Sequence, residues 1–224
     1  MPSPSAARLR AFVRRETRLA PVADHPAIRL HQAADVMALL QRAGTLLDQD
    51  DPPLPFWAFP WAGGLAIVRH LSEHPDLVAG RRVLDLATGS GLCAIAALQA
   101  GATAVEAVDI DPLAEAATEL NARANGVRIT FTRRDILGEP LPDGIEVVLA
   151  GDVAYEETMA GRMLAWLRRA ADTGATMLVG DPGRAHFPGA AAGLVRVATY
   201  QVRTSRELEP ADVREAVVWR FPEA

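Results

Sequence analysis

The sequence contains no lysine, because all 23 of its basic residues are arginine. A lysine Schiff base and the lysine of a phosphate-binding loop are therefore excluded. Cysteine is almost absent too. The single Cys93 excludes an internal disulfide and a multi-cysteine zinc site, and it fits a reducing compartment. We accordingly expect a cytoplasmic protein.

Long apolar runs and an excess of positive charge are also missing. The longest apolar run, around 92–105, is rich in small residues and is broken by Gln99 and Gly101, so no membrane span is expected. The formal net charge is −5 at pH 7, so we expect no nucleic-acid partner. The arginine-rich first 20 residues resemble a mitochondrial transit peptide, but arginine replaces lysine throughout the chain, and we interpret them as composition bias.

From residue 83 onward, short apolar runs alternate with helical patterns. Such runs are typical of parallel strands that crossover helices bury on both faces. The predicted strands are Val83–Leu86, Ala104–Ile110, Ile129–Thr132, Ile145–Ala150, Thr176–Val179, and an antiparallel C-terminal pair, Val195–Thr204 and Val213–Phe221. The predicted fold is therefore α/β, with a doubly wound, mostly parallel seven-stranded sheet and an antiparallel C-terminal strand.

The first 62 residues have a different character. Apolar spacing predicts amphipathic helices over about 5–19 and 34–47. Residues 50–60 carry four prolines, which exclude a helix there and predict an ordered aromatic loop. Residues 63–74 are predicted to be helical again. We divide the chain into an N-terminal helical extension with the aromatic loop, 1–62, and a core, 63–224.

A glycine loop follows the first predicted strand of the core, in the segment DLATGSG. Gly89 and Gly91 allow positive φ and a close approach of the backbone, and the helix that follows offers free N–H groups to a ligand. Asp109 ends the next strand, 18 residues after Gly91, where a carboxylate can accept hydrogen bonds from ribose hydroxyls. Together these features predict a nucleoside cofactor.

Asp85 discriminates between two such cofactors. A carboxylate at this strand tip would repel the pyrophosphate of a dinucleotide, whereas S-adenosylmethionine presents a cationic amino group and a sulfonium. The sequence therefore favours S-adenosylmethionine over NAD, although Asp85 could also simply cap the glycine turn. The predicted cofactor-binding residues are Asp85, Gly89, Gly91, Asp109, Asp135 and Trp61. For Asp135 we leave two alternatives open: contact with an adenine amino group, or a chain turn.

The acceptor site is predicted where the fourth parallel strand ends, at Asp152 and Tyr155. Asp152 could hold an ammonium and orient the amine, and Tyr155 could hydrogen-bond to it. The alternative is that Asp152 caps the following helix while Tyr155 packs. Trp57 and Trp61 could wall a channel for a lysine stem, or could belong to the core.

Four other motifs are assigned less specific roles. Asp181 and Arg184 of GDPGR could shape the acceptor site or form a structural turn. His70 and His74 have the spacing of a metal pair without a third ligand, so we expect a solvated helix face and no metal site. Asp111 before Pro112 predicts a helix N-cap, and Cys93 is expected to be a small core residue.

The order of the motifs DLATGSG, VDIDP, RRDIL, LAGDVAYE and GDPGR resembles that of class I S-adenosylmethionine-dependent methyltransferases. More narrowly, PFWAFPWAGG, GDVAYE and LVGDPGR resemble the electron transfer flavoprotein beta-subunit lysine methyltransferase family. The resemblance runs from about residue 25 to 221. It departs at Ala154, where the family motif Asp-x-Phe-Tyr has phenylalanine.

The resemblance implies a Rossmann-like fold, S-adenosyl-L-methionine as cofactor, and protein-lysine N-methylation with the electron transfer flavoprotein beta subunit as partner. The alternatives are methylation of another protein or of a small-molecule amine, and a non-catalytic S-adenosylmethionine-binding module.

Overall fold

A computed structural model describes residues 4–204 and 211–222 of the chain. Its main feature is a seven-stranded sheet with the order β5-β4-β3-β6-β7-β9-β8. Strands β3 to β7 pair in parallel, whereas β9 pairs antiparallel with both β7 and β8. The fold class predicted from the sequence is therefore confirmed, including the antiparallel C-terminal strands.

The elements have the following bounds. The sheet strands are β3 Arg82–Leu86, β4 Ala104–Asp109, β5 Thr130–Arg133, β6 Val147–Gly151, β7 Thr176–Asp181, β8 Val195–Arg203 and β9 Val213–Arg220. The helices are α1 Ala6–Glu16, α2 Val36–Leu47, α3 Ala62–Glu73, α4 Leu92–Gln99, α5 Pro112–Ala124 and α6 Glu157–Ala171. A short 3-10 turn, Phe56–Ala58, interrupts the aromatic loop.

Both faces of the sheet are buried because successive strand residues point to opposite sides. On β3, Val83 packs into a cluster with α3 and α4, whereas Leu84 packs into a second cluster with α6. The same alternation on β6 sends Leu149 to the first cluster and Val148 to the second. This two-sided burial explains why the strands read as continuous apolar runs.

The strand order reverses between β3 and β6. From β3 the sheet extends to β4 and β5 in one direction, and from β6 to β7 in the other. In open α/β sheets, ligands bind outside the carboxyl ends of the strands at such a switch point. Asp85, Asp109 and Asp152 lie at or just beyond the carboxyl ends of β3, β4 and β6. The topology therefore places all three at the same edge of the sheet.

The N-terminal extension is not entirely helical, and here the sequence prediction was wrong. Helix α1 ends at Glu16, and Thr17 takes an extended conformation with φ −131°. The next residues form an antiparallel hairpin of β1, Arg18–Val22, and β2, His25–Gln32. Leu19 therefore lies in a strand. The hairpin turns at Asp24, whose φ of +60° is left-handed.

The extension packs closely against the rest of the molecule. Phe12 of α1 and Trp57 of the aromatic loop share a buried cluster with Leu113 and Leu120 of α5. The hairpin is attached to the same helix, because the backbone N–H of His31 donates to Asn121 Oδ1 at 2.8 Å. Among the helices of the described residues, the longest has 15 residues, and none combines the length and apolarity needed to cross a bilayer.

Candidate functional site

A cavity of about 350 Å³ opens at the carboxyl edge of the sheet, at the switch point. This volume is within the usual range for a small-molecule site. The cavity is lined by the predicted residues Trp61, Asp85, Gly89, Asp109, Asp135, Asp152 and Tyr155, together with Leu54, Phe56, Ile110 and Asp111. Gly91 does not line it.

Asp85 is buried at the tip of β3. Its Oδ2 accepts a hydrogen bond from Thr88 Oγ1 at 2.5 Å and from the backbone N–H of Ala94 at 3.0 Å. Burial raises the pKa of Asp85 to about 7, although both hydrogen bonds favour the charged form. The carboxylate therefore caps the glycine turn and also lines the cavity, so the two alternatives left open by the sequence are not exclusive.

The glycine loop has left-handed backbone at Gly89 and Gly91, as the sequence predicts. A Cβ on Gly91 would also lie 3.0 Å from Thr118 Cγ2 of α5. Ala87, at the start of the loop, has a φ of +54°, which is left-handed as well and costs an L-alanine about 1 kcal/mol. The loop is therefore strained at one residue beside the cavity.

Two residues of α5 that the sequence analysis missed brace this loop. Thr118 Oγ1 donates to the carbonyl oxygen of Gly89 at 3.3 Å, and Asn121 Nδ2 donates to that of Ser90 at 2.8 Å. Both side chains are buried. The sequence signal that could have identified them is a polar residue on an otherwise apolar face of a helix, because a buried polar group requires a hydrogen-bond partner.

Asp109 ends β4 facing the glycine loop. Its Oδ2 accepts from the N–H of Gly89 at 2.9 Å, and its Oδ1 accepts from the N–H groups of Ile110 and Asp111 at 2.7 and 3.0 Å. Burial raises its pKa despite these three bonds. A carboxylate offers about four acceptor directions. One direction, on Oδ2, therefore remains for a ligand hydroxyl.

Asp111 caps α5, as predicted: its Oδ1 accepts from the N–H of Leu113 at 2.7 Å. Asp135 lies at the cavity rim and is exposed. Its Oδ1 accepts from the N–H of Leu137 at 2.9 Å, and its Oδ2 pairs with Arg162 at 2.6 Å. This ion pair holds the pKa of Asp135 below its usual range. The structure shows the chain turn expected for Asp135, and because Asp135 also lines the cavity, contact with an adenine amino group stays a prediction.

Asp152 follows β6 in a left-handed conformation, with a φ of +57°. Its Oδ2 accepts from the N–H of Gly64, near the start of α3, at 3.0 Å. The alternative that it caps the following helix is wrong, because Glu156 caps α6 through the N–H groups of Thr158 and Met159. The left-handed turn points Asp152 away from α6 and towards α3.

Three glycines, Gly63, Gly151 and Gly180, allow this contact between Asp152 and α3. A Cβ on Gly63 would overlap the carbonyl oxygen of Gly180 and would lie 2.6 Å from Asp152 Oδ2, and a Cβ on Gly180 would overlap the carbonyl oxygen of Gly63. A Cβ on Gly151 would lie 2.9 Å from the backbone of Gly64. The helix start can therefore lie directly on the ends of β6 and β7 only because these positions lack side chains.

Aromatic side chains form one wall of the cavity. The ring centres of Tyr155 and Phe56 are 4.6 Å apart, and Trp61 Nε1 donates to the carbonyl oxygen of Phe56 at 2.9 Å. Trp57 is 1% exposed and packs edge to face on Phe12, as the core alternative expects, but it also lines the cavity. Trp61 and Tyr155 line the cavity as well. Ala154, where the family motif has phenylalanine, is buried.

The GDPGR segment forms a turn that reaches the site. Asp181 Oδ1 accepts from the N–H groups of Gly183 and Arg184, both at 2.7 Å. Arg184 then pairs with Asp152 Oδ1, at 3.2 Å from Nε and 2.7 Å from Nη2. Asp181 and Arg184 thus form a structural turn, and through Arg184 this turn also contacts the site.

One of the two histidines differs from expectation. His70 is 3% exposed rather than solvated, and its Nδ1 lies 3.0 Å from the hydroxyl of Tyr200. His74, which follows the last residue of α3, is exposed as expected. Within the described residues, no three His, Cys, Asp or Glu side chains form a group that could hold a metal. Cys93 is buried, as a small core residue would be.

These observations fit a nucleoside cofactor with a cationic end. The left-handed glycines leave the loop backbone open to a ligand, and Asp109 keeps an acceptor direction for a ribose hydroxyl. Ile110, which is 62% exposed and lines the cavity, offers an apolar surface beside that position. Asp85 would interact favourably with a cation, which would lower its raised pKa.

Solved structures share this fold. PH1948 from Pyrococcus horikoshii aligns with a TM-score of 0.58 over 78% of this chain and 91% of its own, at 15% identity. Magnesium protoporphyrin IX methyltransferase from Synechocystis PCC 6803 with bound S-adenosylmethionine aligns with a TM-score of 0.50 over 70% of this chain and 76% of its own, at 20% identity. At these low sequence identities, the similarity to the two structures shows only that the fold is shared.

Sequence comparisons are more specific. Residues 69–154 match the family model described as ribosomal protein L11 methyltransferase (PrmA). The electron transfer flavoprotein beta subunit lysine methyltransferase of Danio rerio is 39% identical over 172 residues, covering 75% of this chain and 67% of the relative. The human protein of that name is 37% identical over 171 residues, covering 75% of this chain and 65% of the relative.

The match thus spans about two thirds of the length of these relatives. The chain is an S-adenosylmethionine-dependent methyltransferase, and it belongs to the electron transfer flavoprotein beta subunit lysine methyltransferase family.

Proposed function

We propose that this chain methylates lysine side chains of a protein, the electron transfer flavoprotein beta subunit. The observation that carries the proposal is the position of Asp152, which lines the same cavity as Asp85 and Asp109. An acceptor amine at Asp152 would therefore share one enclosed space with a cofactor held at the other two carboxylates. The names of the relatives support the choice of acceptor protein.

The residues that hold the cofactor are part of this proposal. We assign its ribose to Asp109, its cationic amino group to Asp85 and the close backbone approach to the glycine loop. When bound, S-adenosylmethionine supplies an electrophilic methyl group on a positively charged sulfur. Arrangement of the two reactants in one cavity is the main catalytic demand on the protein, because orientation alone supplies a large part of the rate.

Asp152 and Tyr155 are assigned to the acceptor. Asp152 is held by Gly64 and Arg184, so its carboxylate has a fixed direction from which to orient an amine N–H. Tyr155, with its ring against Phe56, lines the same cavity. Trp61 belongs to the same aromatic wall, which limits access of water that would otherwise compete for these polar groups.

The cavity mouth supports a protein acceptor over a small amine. Leu54 and Tyr155 both line the cavity and are 46% and 47% exposed. Exposed large apolar side chains grouped at a rim are typical of protein interaction sites. A macromolecule that presents a lysine here would cover them, whereas a small amine would leave them in water.

A labelling experiment tests the acceptor. The enzyme and methyl-labelled S-adenosylmethionine are added to an extract of cells that lack the enzyme. Because the chain has no lysine, lysine methylation of the enzyme itself contributes no background. We expect label in one protein at the mass of the beta subunit, with mass spectrometry placing it on lysine. Label confined to small molecules would refute protein methylation, and label on another protein would refute the named acceptor.

A further inference from the structure

A cation already lies against the carboxylate assigned to the acceptor. The Arg184 guanidinium pairs with Asp152 Oδ1, while Asp152 Oδ2 accepts from the N–H of Gly64. The pair is largely shielded from water, since the side chains of Arg184 and Asp152 are 21% and 9% exposed. An amine that enters this site therefore meets an ion pair rather than an isolated negative charge.

Arg184 is fixed at both ends. Its backbone N–H donates to Asp181 Oδ1 at 2.7 Å. Its guanidinium carbon lies 5.5 Å from the centre of the Trp61 ring, within the range of a cation–π contact. The positive charge is thus held in place by the GDPGR turn on one side and by the aromatic loop on the other.

This arrangement bears on the chemistry of a lysine acceptor. A lysine side chain is an ammonium at neutral pH, because its ordinary pKa is about 10.4. The nitrogen must lose a proton before its lone pair can form a bond to the methyl carbon. An isolated buried carboxylate would oppose that loss, because a nearby opposite charge stabilises the ammonium. A fixed cation beside the carboxylate offsets this effect.

We propose that Arg184 is a positioning residue that neutralises Asp152, so that the acceptor amine binds there without its extra proton. The inference rests on the proposed function, since it assumes a lysine acceptor at Asp152. The ammonium gives its proton to solvent as it enters, and the neutral amine then donates an N–H to Asp152. Arg184 acts through Asp152 and does not touch the reacting atoms.

The neighbouring carboxylates also favour the protonated form of an amine, so the neutralisation of Asp152 by Arg184 matters more. Asp181 Oδ2 is buried and has no hydrogen-bond partner among residues 4–204 and 211–222. Burial raises the pKa of Asp181 to about 6; the charge of Asp152 raises it further and that of Arg184 lowers it, so the three charges interact. The other titratable groups that face the cavity are Asp85, Cys93, Asp109, Asp111, Arg134, Asp135 and Tyr155. With so many carboxylates nearby, an unprotonated amine requires a cation at Asp152.

The pH dependence of methyl transfer tests the inference. Arg184→Met keeps an unbranched, flexible side chain but removes its charge, and Arg184→Lys restores a charge. With the purified beta subunit as acceptor, we expect the pH of half-maximal kcat, which reports the bound amine, to rise by about one unit in Arg184→Met, the low end of the effect of a nearby charge. Arg184→Lys should keep the native profile, with its mass checked for self-methylation. Equal profiles for the native enzyme and Arg184→Met would overturn the inference.

A second readout separates this inference from the named acceptor. N-acetyl-lysine methylamide is titrated into the enzyme with S-adenosylhomocysteine at pH 8, in buffers of different ionisation enthalpy. We expect the native enzyme and Arg184→Lys to release close to one proton per analogue bound. Arg184→Met, in which the pKa of the bound amine is about one unit higher, should release about half a proton. Unchanged S-adenosylhomocysteine affinity shows that the variants are folded. Absence of binding or of proton release in the native enzyme would overturn the inference, even if the beta subunit proved to be the wrong acceptor.

Discussion

Helix α3 lies on the ends of β6 and β7 only because Gly63 and Gly180 lack side chains, and Gly63→Ala tests this contact. In an open helix the change would be favourable by about 1 kcal/mol, because glycine is a poor helix former. At Gly63 the new Cβ would overlap the Gly180 carbonyl oxygen, a backbone atom that cannot turn aside. Overpacking of this kind costs about 3 kcal/mol at its usual upper range. We expect a net loss of about 2 kcal/mol.

Gly161→Ala is the matched control. Gly161 lies in α6, is exposed, and a Cβ there would meet nothing within 4 Å. The same substitution should therefore raise the free energy of unfolding by up to about 1 kcal/mol. Urea unfolding of both variants should give a difference of about 3 kcal/mol between them. Methyl transfer should fall only in Gly63→Ala, because the start of α3 moves away from Asp152. Equal stabilisation of the two variants would refute the close contact.

Three further predictions concern the cofactor end of the cavity. Asp109→Ala should weaken binding of S-adenosylhomocysteine by about 1.5 to 3 kcal/mol in calorimetry, because one charge-assisted hydrogen bond to the ribose is lost; unchanged affinity in a folded variant would contradict the assignment. Burial raises the pKa of Asp85 to about 7, so the folded apo enzyme keeps a proton that the unfolded chain releases above about pH 4. The free energy of unfolding should therefore fall as the pH rises from about 4 to 7, and Asp85→Asn should make this fall less steep. An equally steep fall in Asp85→Asn and the native enzyme would contradict the raised pKa of buried Asp85. Ala87→Gly should raise stability by up to about 1 kcal/mol in urea unfolding, because the φ of +54° is no longer strained, whereas a loss would show that Ala87 is held without strain.

The sheet and the cofactor loop could be predicted because their signals are local. Strands buried on both faces read as apolar runs, and the glycine loop lies directly between such a run and a helical pattern. Asp111 before Pro112 likewise predicted its own N-cap. The hairpin at Arg18–Val22 and His25–Gln32 was missed because it is short, contains Pro21 and Pro26, and is stabilised by contacts with α5 far along the chain.

The acceptor side of the site depends on contacts that sequence spacing does not reveal. Asp152 was identified at the right strand end, but its partners Gly64 and Arg184 lie 88 and 32 residues away. The left-handed φ of Asp152 directs the side chain to α3, and no local pattern indicates such a conformation. His70 was placed in solvent because Tyr200, which covers it, comes 130 residues later.

The most direct test of the account is the intact mass of the purified electron transfer flavoprotein beta subunit after incubation with the enzyme and S-adenosylmethionine. We predict that the subunit gains one or more methyl groups on lysine with the native enzyme. With Asp152→Ala we predict almost none, although that variant still binds S-adenosylhomocysteine. An unchanged subunit mass with the native enzyme, or equal methylation by Asp152→Ala, would contradict the account.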